Sequence, residues 1–571
     1  MKKTNQKLIS LGLLVAASLF SCSGGGELTP IYHLNNNEEL VHGGDIKLYY
    51  PKNNEVPYVA LEDGVQLASL LRSSTLGSES YKYTVTGNKD LMTVKDERGT
   101  KAVFDSNNQT VVIDNFESFV FGYRNQDIPL MAADLTRVSK AIKLVENECT
   151  TKSGNSVTLK LSDYPTIQLE KSGNTMLIPL AVLNDIFVSG DGGSRGISYN
   201  YKEAYIVGNG LVNIGDGSLT TLGKEFYNRA PKKTEISKEL AQYAYDETTF
   251  TFDYFYGLKS LKGITSFKAL AKEKGLEEDL LSGNVEKMND AYATLLMKSL
   301  EDGHTAYLSP MAFTNMDEYE IKDSSRSEKA IKKDAESAAM SRVRKERGLN
   351  KPFEVRGDTA FIFFDDFMEI DESKLYDTIT EADIAANNTL LFAYAYKEIK
   401  KNSNIKNVVV DMVTNNGGDA TGLIYCLGTL IGKHHIDTMN PLTGATTKAT
   451  FAVDINTDGN IDENDVPLIN DYKIFMLDSK FAFSCGNLFP VAAKYNNPNV
   501  KILGDVTGGG TCIVSTQYNG LGAQALKSGL LMLTKKTESG YTNIEDGAAV
   551  DIPVSYDRML DRNYIVNLIN S

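Results

Sequence analysis

Across residues 57–212 the chain is written in short alternating apolar and polar runs broken by Gly, Asn and Asp, such as Tyr83-Thr84-Val85-Thr86 and Thr110-Val111-Val112-Ile113. That is the pattern of strands and hairpins, and it predicts a β-rich N-terminal module over 57–230. Two stretches within it share a plan. Val59-Ala60-Leu61 leads into Leu67, Leu70 and Leu71, and Met176-Leu177-Ile178 leads into Val182, Leu183 and Ile186, each a strand followed by a short helix. After the polar Ala230-Pro231-Lys232-Lys233 the apolar period lengthens to that of a helix, through Leu258, Leu261 and Ile264 and then Leu295, Leu296 and Leu300. A helical lead-in is therefore expected over 233–310. Residues 323–351 are charged and nearly free of large apolar side chains, the composition of an exposed helix or a connection within 311–356. From Gly357 onward buried-type strands at 359–364, 407–413 and 473–477 alternate with helical patterns at 390–399 and 423–431. This is the grammar of a layered α/β domain over 357–571.

At 571 residues the chain is too long for one core, so the fold class is multidomain. Hydrophobic residues at 42% and charged residues at 23% fall in the globular range. Acidic residues outnumber basic ones by 74 to 59, and a net charge of -15 repels a phosphate backbone, which argues against nucleic acid as a partner. Five cysteines in such a chain do not make a disulfide framework.

Lys2, Lys3 and Lys7 precede an apolar stretch at 8–20, shorter than the roughly 20 residues that span a bilayer and of the length of a signal-peptide core. It ends in Leu19-Phe20-Ser21-Cys22, which resembles the lipobox of bacterial lipoproteins. The resemblance implies a signal peptide over 1–21, an acylated Cys22 that anchors the protein to a membrane, a tether over 22–56 and a cell-envelope location, with the outer membrane favoured. Cys149, Cys426, Cys485 and Cys512 would then lie in a compartment that permits disulfides, and spacing gives no pairing. The two strand–helix stretches are similar to the repeated unit of the copper amine oxidase N-terminal-like domain, a stalk module.

Three separated segments carry the chemistry: Leu300-Glu301-Asp302-Gly303-His304-Thr305, Asp411-Met412-Val413-Thr414-Asn415-Asn416-Gly417-Gly418, and Phe483-Ser484-Cys485-Gly486-Asn487, the last followed by Gly504-Asp505-Val506-Thr507-Gly508-Gly509. Acyl transfer needs a nucleophile beside a base, and amide donors where the oxyanion forms. Ser484 stands between a predicted strand and a predicted helix, so its hydroxyl and the Cys485 N–H lie at a helix N-terminus that favours negative charge. Gly417 and Gly418 follow a strand and lack Cβ atoms, so the amide of either can approach a substrate carbonyl. In this order and spacing the segments resemble the S41 family of serine peptidases over roughly residues 235–560. The resemblance implies a crotonase-like α/β peptidase domain, a peptide or protein substrate, and no cofactor for the chemistry.

The tail-specific branch of that family uses a lysine about 25 residues after the serine. Gly509 holds that place here, and Lys494, Lys501 and Lys527 stand at other spacings. The tricorn-like branch uses a histidine in an upstream Gly-His motif, which His304 matches, and neutral imidazole is a natural proton acceptor near neutral pH. For the acid that would orient it, the closing segment Asn543-Ile544-Glu545-Asp546-Gly547 offers Glu545, with Asp546 and Asp551 as alternatives. Asn487 stands where the family often has a glutamate. About 45 residues separate Pro310 from Gly357, too few for the PDZ domain of the tail-specific branch. A different class of function, a peptide- or glycan-binding lipoprotein that keeps the fold without catalysis, is consistent with the departures at Asn487 and in the closing turn.

Residues 454–465, Asp-Ile-Asn-Thr-Asp-Gly-Asn-Ile-Asp-Glu-Asn-Asp, have the spacing of an EF-hand loop and look most like its dockerin version. Asp454, Asn456, Asp458 and Asp465 would ligate calcium through side chains, Asn460 through its carbonyl, and Asp462 directly or through water. Such an ion would brace the structure and take no part in catalysis.

Overall fold

The computed structural model describes residues 26–35, 37–75, 82–121, 139–149, 155–188, 195–208, 210–214, 216–317, 319–538 and 540–571. The signal segment and Cys22 lie outside the described residues. No helix among those described is long and apolar enough to cross a membrane.

The two strand–helix stretches come together. Tyr58–Ala60 runs into the helix Leu61–Thr75 and Thr175–Pro179 into Leu180–Phe187, and the strands pair antiparallel with Leu177 opposite Ala60. They sit in a seven-stranded sheet whose other members include Glu27–Leu34 and Leu40–Tyr49, so residues expected to form a tether are part of the fold. Ile31, Ile46 and Leu48 are buried there, but Pro30, Gly43 and Gly44 interrupt the alternation that would have marked the strands in the sequence. A separate five-stranded antiparallel sheet is built from Tyr83–Gly87, Leu91–Asp96, Lys101–Asp105, Thr110–Ile113 and Val157–Lys160.

The C-terminal half is a layered α/β structure. Thr359–Phe363, Asn407–Asp411, Lys473–Asp478, Lys501–Gly504 and Ile552–Pro553 are parallel neighbours in that order, with Phe353–Arg356 antiparallel at one edge. Helices Asn388–Lys401, Ala420–Ile431 and Cys485–Asn496 follow their strands, as a parallel sheet requires. A second sheet is centred on the long strand Gln524–Thr537, which pairs with Ala306–Ser309, His434–Met439, Cys512–Tyr518 and Gly540–Asn543. Beyond the hairpin formed by His434–Met439 and Thr446–Val453 lies Ile142–Cys149. This strand comes from the region assigned to the N-terminal module and completes a sheet of the other half.

The helix Glu328–Glu346 occupies the segment expected to be a charged connection, and it is anchored at its C-terminal end. Arg344 donates to both carboxylate oxygens of Asp411 at 2.6 and 2.9 Å, and Arg562 donates to the same group at 2.6 Å. Burial alone would raise the Asp411 pKa; the two guanidiniums outweigh it and hold the carboxyl below the usual range.

Asp478, at the end of Lys473–Asp478, is the opposite case. It is fully buried, and neither carboxylate oxygen has a hydrogen-bond partner. Burial, reinforced by nearby Asp411, pushes its pKa well up. Such a group keeps its proton in the folded state and loses it near pH 4 when unfolded, so its contribution to stability falls as pH rises from about 4 toward the folded pKa. Asp478→Asn, which cannot ionise, is expected to be more stable than the wild type at pH 8 and to lose that advantage toward pH 4. Urea melts across that range check it.

Candidate active site

Ser484 is the residue between strand and helix, and its backbone is held at φ 58° and ψ -122°. A non-glycine residue there is strained, and such strain persists only where the surroundings impose it. Its amide donates to Gly509 O at 2.9 Å and its carbonyl accepts from Asn487 and Leu488. The side chain does not cap the helix Cys485–Asn496, which leaves the hydroxyl free to face the cleft. The glycines explain how the chain fits around it. A Cβ on Gly417 would lie 2.7 Å from Ser484 Cβ and 3.0 Å from Cys485 N, so only glycine lets this loop pass the serine.

The two glycine amides differ. Gly417 N–H donates to Asn415 Oδ1 at 2.9 Å and is engaged. Gly418 N–H, like that of Cys485, has no acceptor among the described residues. A pair of free amides thus flanks the serine.

His304 reaches the same place from the helical lead-in, after a wide π-type turn at Thr294–Ser299. Asp302 shapes the turn, accepting from His304 N at 3.0 Å, Thr305 Oγ1 at 2.5 Å and Tyr256 OH at 3.2 Å. The following strand Ala306–Ser309 then locks onto Gln524–Thr537. The imidazole packs on Phe483, the residue before the serine, with ring centroids 4.7 Å apart. A Cβ on Gly303 would lie 2.5 Å from the same phenyl ring, which is why glycine precedes the histidine. His304 is buried, and neither ring nitrogen has a hydrogen-bond partner. Burial lowers its pKa; the Asp302 carboxylate opposes the shift and the Lys333 ammonium adds to it.

The carboxylate expected to orient the imidazole is engaged elsewhere. Glu545 accepts from the amides of Gly510 and Thr511 at 3.1 and 2.9 Å, and so fixes the loop whose Gly509 carbonyl receives the Ser484 N–H. Asp546 is exposed, and Asp551 pairs with Lys494 and accepts from Ile502 N. Asn487 is buried beside the serine, its Nδ2 donating to Ile544 O at 3.0 Å and its Oδ1 accepting from Thr507 Oγ1 at 2.6 Å. It ties the nucleophile helix to the segment carrying Glu545 without a charge. The other histidines of this half are committed locally, His434 to Gly432 O and His435 to Asp437. Lys527 is buried against Ser515.

Two residues were not foreseen. Asp302 could have been noticed as an Asx-turn former two residues before the histidine. Lys333 had no local signal, because it arrives on the helix Glu328–Glu346: its ammonium lies 4.8 Å from the Phe483 ring centroid and 2.8 Å from where a Cβ on Gly508 would be. Phe483 therefore contacts both the ammonium and the imidazole. Removing that positive charge favours the imidazolium, so Lys333→Met is expected to move the acidic limb of the pH–activity profile to higher pH, while Lys333→Arg leaves it in place.

A cavity of about 280 Å³ opens beside Ser484, Cys485 and Gly418. The calcium-type loop is folded as a series of Asx turns. Asp454 accepts from Asp458 N and Gly459 N, Asp458 from Asn460 N, and Asp465 from Ile455 N and Asp462 N. Among the described residues no group of three or more His, Cys, Asp or Glu is disposed to hold a metal ion.

A strained serine at a helix N-terminus, two amides without an acceptor and a buried imidazole packed on the preceding residue are groups that acyl transfer by a serine would use. Residues 375–554 match the model of peptidase family S41. The match includes Gly417, Gly418, Ser484, Cys485 and Glu545 and excludes His304. No curated protein matches the chain. Among solved structures, a photosystem II D1 C-terminal processing protease is similar over 35% of this chain and 43% of its own, at 16% identity and a TM-score of 0.26. This chain thus covers less than half of that protease. A lipoprotein from Streptococcus agalactiae is similar over 38% of this chain and 69% of its own, at 14% identity and a TM-score of 0.27. The tricorn protease is similar over 94% of this chain and 61% of its own, at 11% identity and a TM-score of 0.34.

Proposed function

We propose that the protein is a lipid-anchored serine peptidase of the cell envelope, tricorn-like in its choice of base and crotonase-like in its layering. The observation that supports it most is the backbone strain at Ser484 beside the free Cys485 and Gly418 amides, with the His304 ring packed on the preceding residue. Ser484 Oγ attacks the peptide carbonyl as His304 takes its proton. The oxyanion is held by the amides of Cys485 and Gly418, and the imidazolium returns the proton to the leaving amine. Water, activated by the same imidazole, then releases the acyl group. Glu545 acts through the 509–511 loop as a positioning residue. The Ser484–His304 hydrogen bond is absent in the structure and has to form with substrate, as catalytic contacts commonly do. That absence also favours the second reading, a binding protein that keeps the fold.

Labelling with a fluorophosphonate separates the two. The catalytic reading expects labelled wild type and unlabelled Ser484→Ala, with His304→Ala labelled far more slowly. Equal labelling of all three overturns the assignment.

Anchoring at Cys22 predicts that detergent is needed to extract the full-length protein and that Cys22→Ser makes it freely soluble. Calcium has no step in this chemistry. A calcium-dependent rise in Tm that Asp454→Ala abolishes is the outcome predicted by the loop's spacing, and differential scanning calorimetry with and without calcium checks it.

A further inference from the structure

We infer that the cavity beside Ser484 receives the side chain on the acyl side of the scissile bond, and that the protein cleaves after a large apolar residue. This rests on the peptidase reading and names its substrate class. The cavity begins at the groups that would hold the reacting carbonyl, Ser484, Cys485 and Gly418, and runs inward between the helices and the second sheet. Ile424 and Leu488 come from the helices Ala420–Ile431 and Cys485–Asn496, and Ile436, Ala449, Phe451 and Leu533 from the strands beneath. A void of this size inside a core destabilises in proportion to its volume, so one that ends at a strained serine is a binding feature.

The cavity's two threonine hydroxyls and one oxygen of its single carboxylate are already engaged. Thr438 and Thr447 hydroxyls bond to each other at 2.6 Å, and the Asp419 carboxylate caps the helix Ala420–Ile431 by accepting from Thr421 N and Gly422 N. An acidic side chain would lose its hydration there without gaining a partner, a basic one would find only the Asp419 carboxylate beside Gly418 and none among the apolar residues further in, and glycine or alanine would leave most of the volume unfilled. Leucine, methionine or phenylalanine fits both constraints. The floor is the hairpin His434–Met439 and Thr446–Val453, so Ala449, with its single methyl, sets the depth.

The test uses full-length protein and peptides identical except for the acyl-side residue, which is Gly, Ala, Leu, Phe, Glu or Lys. Leu and Phe are expected to exceed Ala in kcat/KM by roughly 10–200-fold, with Glu and Lys at background. Ala449→Phe is expected to invert the order in favour of Gly and Ala. Ala449→Leu, a smaller intrusion, is expected to penalise Phe more than Ala and serves if the first variant melts below the assay temperature. A flat profile, or a preference for Glu or Lys, in protein whose Ser484 is labelled by fluorophosphonate overturns this inference and leaves the peptidase reading standing. Absence of both labelling and cleavage removes the peptidase reading, and this inference falls with it.

Discussion

Ser484→Ala is expected to lower kcat/KM for peptide hydrolysis by roughly 10⁴–10⁶-fold, while substrate binding changes little. The size follows from the chemistry: without the hydroxyl no acyl-enzyme forms, and what remains is the contribution of the amides to direct attack by water. Ser484→Gly is expected to be as inactive but more stable than Ser484→Ala by about 1 kcal/mol, because glycine adopts φ 58° without strain. Steady-state kinetics and urea melts of the two variants separate lost chemistry from relieved strain. A Ser484→Ala enzyme that kept wild-type kcat/KM would place the nucleophile elsewhere.

Arg344→Ala is expected to produce the largest loss of stability, on the order of 3–5 kcal/mol, because it leaves the buried Asp411 carboxylate with one of its two guanidiniums. Arg344 also closes the helix Glu328–Glu346 over the Phe363 ring, its guanidinium 4.0 Å from the centroid. Loss of this anchor frees the helix that carries Lys333, so the variant is expected to share the shifted acidic limb of Lys333→Met even where it stays folded. The Asp411 pair has its own pH signature. The folded pKa is depressed, so its stabilisation is complete above the unfolded value of about 3.9 and is lost as pH falls toward the folded value. Wild type and Arg344→Ala should therefore converge in stability at strongly acidic pH. Denaturant melts measure both effects.

Much of the C-terminal half was legible because its strands are buried on both faces and read as continuous apolar runs: 407–413 and 473–477 stand out, as do the helices at 390–399 and 423–431. The principal site residues were legible because backbone geometry restricts their neighbours. Gly417 must clear the serine and Gly303 must clear Phe483, so glycines mark both places in the sequence. What escaped depends on distant approach. Nothing near Lys333 in the chain shows that a half-exposed helix lays one ammonium against Phe483. Glu545 was found in sequence, but its attachment to Gly510 and Thr511 instead of the imidazole is set by a loop fold that the sequence pattern does not encode. Glu27–Leu34 was missed because its alternation is broken by a proline and because its partners include Ala204–Val207, far along the chain.

The strand Ile142–Cys149 makes the two halves inseparable in a practical sense. Cut free of everything before residue 233, the peptidase half would present Thr446–Val453 as a bare sheet edge, open to pairing with another copy of itself. That edge belongs to the hairpin under the cavity, so the injury would reach the cleft as well as solubility. A chain shortened in this way is expected to aggregate.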